Sequence, residues 1–222
     1  MDGHERVRSA FLSTAVRDIA QGFWEETVRQ GRVVYMDAYH EIAADAGYLA
    51  EQRKDALLQM RHFRMERLLI SLAEKYGLAR SPTVLAENAR SIAYVTGGDV
   101  GMTQAYVADI GAMPKPARFR ERFAERMALP RLDLGDEPPE VMIGKSFYGL
   151  LAHNPVGRRF REEDQKLGTM QFCLPASDCK AWAVELTIPE ILMAYEAAKP
   201  AAKPDRSLPW KIERRKEQGG EK

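Results

Sequence analysis

Tyr35, Tyr39, Ile42, Ala46 and Leu49 recur at alternating steps of four and three, and beyond Arg53 the register resumes at Ala56, Met60, Phe63 and Ile70. That spacing puts the side chains on one stripe of an α-helix, so the stretch is constrained to pack against other elements along that stripe. It supplies no chemistry. Read as one helix from Val33 to Tyr76, the stretch would be about 65 Å long. A compact chain of 222 residues has a radius of gyration of about 17 Å. A break is therefore expected, with Gly47 the first choice and the charged run Glu51–Asp55 the second. Leu58, Met65, Leu69, Leu72 and Tyr76 form a further stripe, which makes 57–76 apolar on more than one side. Met60, Phe63, Leu69 and Leu72 are expected in the core.

The rest of the first 129 residues also reads as helix. A first helix is expected over 5–29, with Gly31 near its end. Ser81-Pro82 looks like the N-cap and first residue of another, running to Val95. Asp99 follows a glycine-rich break and is placed to cap a short helix through Ile110; a fifth covers 117–127 with Phe119, Phe123 and Met127 on one face. After Pro130 glycine and proline become frequent, and only short strands are expected, at 141–143, 170–174 and 182–188. Thr187 and Glu190 have capping-box spacing and start a last helix. The expected fold is mainly α: a helical bundle over 1–129, a smaller irregular α or α+β segment over 130–196, and a disordered low-complexity tail over 197–222.

Charge narrows the partners. The 33 basic and 32 acidic residues leave +1 overall, but the tail holds eight basic against four acidic side chains, so it is +4 and the body −3. The whole chain has no field strong enough to hold nucleic acid. The start of the sequence lacks the basic and apolar regions of a signal peptide, and no apolar run approaches the length of a membrane span. A cytoplasmic protein is expected. Cys173 and Cys179 are read as two reduced thiols.

Candidate chemistry is sparse. A di-metal bundle needs two Glu-x-x-His pairs, and the chain offers Asp37-x-x-His40 with only Gln59 before His62. Asp37, His40, His62 and Glu66 are read as a solvated helix face, and no metal or cofactor is expected. Residues 72–91 look like a helix-turn-helix in their first half, with few basic readers in their second. Gly97-Gly98-Asp99-Val100-Gly101 lacks the lysine and preceding strand of a phosphate loop. His153, Arg158 and Arg159 around a glycine turn form the best anion-contact candidate. No nucleophile-elbow motif is present.

Within the charged tail stands Leu208-Pro209-Trp210-Lys211-Ile212. An aromatic flanked by aliphatics and followed by Arg214 and Arg215 has the composition of a docking segment, for another protein or for the body of this chain. The leading expectation is a non-enzymatic interaction or scaffold protein that binds a protein partner through Leu208, Trp210, Ile212, Arg214 and Arg215 and through its helical faces. Self-association through the helical stripe belongs to the same reading. The alternatives are a DNA-binding regulator using 72–91 and a metal- or small-molecule-binding helical enzyme.

Overall fold

The computed structural model describes residues 3–84, 91–126 and 146–198. Over these the chain forms six helices and one six-stranded sheet, so it is an α+β fold and not a helical bundle. Helices α1 (Gly3–Asp18), α2 (Gln21–Ala44) and α3 (Ala50–Lys75) come first. Strands β1 (Ala79–Val84), β2 (Ser91–Gly97) and β3 (Val100–Tyr106) form an antiparallel meander. Helix α4 (Arg118–Arg126) precedes β4 (Phe147–Pro155), the short α5 (Glu162–Gln165), β5 (Leu167–Pro175), β6 (Trp182–Thr187) and α6 (Ile188–Ala198). The sheet order is β1 through β6 in sequence, and only the central pair β3–β4 is parallel. A parallel pair needs a long crossover, and α4 lies in it.

The break in the long helical stretch falls at residues 45–49, where the Gly47 N–H is accepted by Asp45 Oδ1 at 2.7 Å. A second break at 19–20 divides the expected first helix, and its latter part opens α2. Where helices are expected over 81–95 and 99–110, the described residues form β1, β2 and β3 instead. Pro82 sits in β1, an edge strand, where a missing backbone N–H is tolerated. Asp99 caps no helix; with Gly98, at φ +51°, it turns the β2–β3 hairpin. Strands from both sides of residue 129 pair in one sheet. The helix-turn-helix reading ends here, because β1 follows α3 where the second helix would have to begin. The strands expected over 170–174 and 182–188 are present as β5 and β6, and the one at 141–143 lies outside the described residues.

The core is a helix-on-sheet sandwich. Phe172 stacks on Phe11 at 4.8 Å between centroids and tilts against Trp24 at 5.0 Å, while Phe147 meets Phe11 edge-on at 5.5 Å. Phe172 lies so close over Gly149 that a Cβ there would clash with its ring. The opposite face of the sheet is covered by α4, where Phe123 stacks on Tyr94 at 4.5 Å. With both faces covered, β4 is buried over nearly its whole length. Helix α6 is locked by the Thr187–Glu190 capping box: the Thr187 N–H donates to Glu190 Oε2 at 2.7 Å, and the Glu190 N–H returns to Thr187 Oγ1 at 3.3 Å. Arg8 pairs with the same carboxylate and ties α1 to α6. Among the described residues no helix is long and apolar enough to cross a membrane.

The buried stripe of α3 is Leu57, Arg61, Met65, Leu68 and Leu72, together with Leu69. The expected positions Leu69 and Leu72 are 1% exposed, whereas Met60 is half-buried and Phe63 is 54% exposed. The heptad pattern therefore identified a helix but placed part of its inner face one residue off. Leu69→Ala or Leu72→Ala should cost about 2–5 kcal/mol, and Phe63→Ala less than about 1 kcal/mol. Urea titrations of the three variants check this ordering.

Candidate ligand-binding site

The inner stripe of α3 brings Arg61 to the helix–sheet interface, where the residue is 1% exposed. Its guanidinium lies 4.2 Å over the Tyr35 ring of α2. Nη1 donates to Gln165 Oε1 at 2.7 Å, and Nη2 donates to the Gln165 carbonyl at 2.6 Å and the Tyr35 carbonyl at 3.3 Å. Nε is buried without a hydrogen-bond partner. Among the described residues no carboxylate pairs with this charge. Burial lowers the guanidinium to about 10, opposed by Tyr35 and Tyr106, so it stays charged at neutral pH.

Beside it runs a series of polar side chains whose donor and acceptor roles follow from one another. Gln104 of β3 directs its amide nitrogen at His62 Nδ1 (2.8 Å) and the His62 carbonyl (3.4 Å), so it donates there. Its Oε1 must then accept from His153 Nε2 at 2.8 Å. With Nε2 carrying the proton, His153 Nδ1 is bare and accepts from the Tyr35 hydroxyl at 2.6 Å. The series runs Tyr35, His153, Gln104, His62, and His62 Nε2 lies 3.7 Å from Glu66 Oε1. The pleat explains the grouping. Gln104 and Tyr106 share one face of β3, and Tyr106 pairs with His153 across the parallel ladder. Burial, followed by the neighbouring His62 and Arg61 charges, pushes His153 down to about 3. Burial also pushes the Tyr35 and Tyr106 hydroxyls up.

Above Arg61 opens a cleft of about 290 Å³. Leu57, Leu58 and Phe160 give it apolar walls, Tyr106 and Gln165 add polar groups, and Lys54 and Arg158 join Arg61 as cations. Among the described residues no acidic side chain lines it, although Asp109 pairs with Arg158 nearby.

The three residues expected to converge on an anion are separated. His153 is buried in β4 and faces Tyr35 and Gln104, Arg158 is exposed at the cleft, and the exposed Arg159 uses its backbone N–H to reach Asp164. The glycine turn at 97–101 already holds an anion of its own: Asp18 Oδ2 accepts the Asp99 N–H at 2.8 Å, and Arg17 bridges Asp18 and Asp99. His40 lies near Glu162 at 3.7 Å and His62 near Glu66, so the two histidines serve different neighbours. Among the described residues no group of three or more His, Cys, Asp or Glu is arranged to hold a metal ion. Cys173 and Cys179 are free thiols, raised by burial to about 12 and about 11. Leu208, Trp210, Ile212, Arg214 and Arg215 lie outside the described residues. Arg61, Gln104, Tyr106 and Gln165 carry no motif that marks them as functional in the sequence, and Tyr35 stands there only as a packing position. The available signal was a basic residue in register with Leu57, Met65, Leu68 and Leu72. Comparison with protein-family models, curated proteins and solved structures returns no match.

Tyr35→Phe should cost about 1–3 kcal/mol, because it removes the donor to a buried imidazole nitrogen. The sign of the pH effect follows from the lowered His153. An unfolded imidazole titrates at about 6.5, so between there and about 3 the unfolded chain binds the extra proton. Stability from this group is complete above the unfolded value and is lost as pH falls toward 3. Denaturant melts at pH 7 and pH 5 should show a smaller acid loss for His153→Gln than for the wild type.

Proposed function

We propose that the protein is a non-enzymatic binding domain that takes a small organic anion in the cleft over Arg61. The observation that carries this reading is a buried guanidinium with no carboxylate partner among the described residues, lying at the base of an open cleft. A charge in that setting favours an anion more strongly than a solvated one does, because little water screens it. Lys54 and Arg158, both exposed, supply direct contacts, and Leu57, Leu58 and Phe160 suit a short apolar body. The volume is near the lower end of small-molecule pockets, about 300 Å³. A carboxylate with a few carbons or one ring matches this size.

The buried polar series beside the cleft is read as its rigid support, since Tyr35 both stacks under Arg61 and donates to His153. Nucleophilic or acid–base catalysis gains no support from it. His153 is 1% exposed and held neutral, and among the described residues no serine or cysteine lines the cleft. The expectation of a protein partner bound through the tail rests on residues outside the described ones and is independent of the cleft.

Calorimetric titration with acetate, butyrate, benzoate and inorganic phosphate tests the reading. Butyrate or benzoate should bind more tightly than acetate, and Arg158→Gln and Arg61→Met should each weaken binding about tenfold, equivalent to about 1.4 kcal/mol. Absence of anion binding, or an affinity unchanged from the wild type in both variants, would contradict it.

A further inference from the structure

A second concavity, of about 650 Å³, lies between α1 and α6. Leu12 and Val16 of α1 face it together with Ala194, Tyr195 and Ala198 of α6. Its wall is held in place from behind: the Tyr195 hydroxyl donates to the Ile19 carbonyl and accepts from Trp24 Nε1 at 3.2 Å. The cation on its lining, Arg17, is already matched by Asp18 and Asp99 and adds little repulsion toward a basic segment. The cleft over Arg61 differs in this respect, because its three cations would oppose one.

The occupant is indicated by where the chain goes. Ala198 is both the last residue of α6 and part of the groove lining, so residues 199–222 begin at the groove itself. They contain one apolar cluster, Leu208-Pro209-Trp210-Lys211-Ile212, amid charged and small residues. Residues 199–207 separate it from Ala198 and can span about 30 Å when extended. Helix α1, with 16 residues, is about 24 Å long. The cluster can therefore reach any part of the groove. A segment on so short a tether is presented at an effective concentration in the millimolar range, so even weak contacts favour it over a free partner.

We propose that the α1–α6 groove is the docking site for this chain's own Leu208–Ile212 segment, with the Trp210 indole as anchor against Leu12 and Val16. Aromatic side chains filling apolar pockets dominate such contacts. A macromolecule that binds the same segment would have to withdraw it from the groove, which makes the groove a competitor for any partner of the tail.

Two measurements on the full chain test this. With Trp210→p-benzoylphenylalanine, irradiation should join position 210 to peptides from 9–17 and 192–198. In a mixture of ¹⁴N- and ¹⁵N-labelled chains the products should be within one molecule. Trp210→Ala should speed hydrogen exchange at 9–17 and 192–198 about fivefold or more while leaving α3 unchanged. Cross-links to another face, or between copies, would overturn the proposal, as would unchanged exchange on α1 and α6. Should Trp210→Ala speed exchange throughout the chain, the cross-linked positions decide.

Discussion

Arg61 carries a positive charge into the interface between the helices and the sheet, and the surrounding structure is organised around holding it there. Burying a charge costs several kcal/mol unless hydrogen bonds and nearby dipoles compensate it. Compensation comes from two oxygens of Gln165, the Tyr35 carbonyl and the Tyr35 ring. These contacts fix α2, α3 and α5 relative to one another. Tyr35 then donates to His153, which fixes α2 on β4, and Gln104 joins β4 to β3 and α3. One charged side chain thus sets the mutual position of three helices and the central parallel pair of strands.

The apolar half of the interface completes this frame. Phe11, Trp24 and Phe172 form a continuous aromatic contact from α1 and α2 to β5, made possible by the missing side chain at Gly149. Arg8 and the Thr187–Glu190 cap then hold α6 against α1. Among the described residues this frame shapes two concave surfaces that differ in chemistry. The cleft over Arg61 is cationic with apolar walls, and the groove between α1 and α6 is apolar and adjoins the point where the chain leaves α6.

Sequence reasoning could recover α2 and α3 because their apolar residues repeat at helical spacing, and it located the Gly47 break because one helix of that length could not pack. The capping box at Thr187 was legible for the same local reason. The meander at 79–106 was not. Ser81-Pro82 has the chemistry of a helix start, and only its place at a sheet edge, a tertiary fact, makes that proline acceptable in a strand. Likewise, Asp99 resembles an N-cap until Gly98 turns the chain into a hairpin. The candidate site was hidden more deeply. Arg61 interrupts an apolar stripe, which reads as an outward-facing position, and its partners Gln165, Tyr35 and Gln104 are far apart in sequence. His153 was singled out with Arg158 and Arg159 because they are close in sequence, yet the pleat of β4 turns its ring inward to the helices.

One directed run of hydrogen bonds fixes the buried interface, with a proton on His153 Nε2 and none on Nδ1. Ring ¹⁵N chemical shifts of His153 between pH 5 and pH 8 test it most directly. Nε2 should stay protonated and Nδ1 unprotonated throughout that range, with no titration. A proton on Nδ1, or an imidazolium forming near pH 6.5, would contradict it.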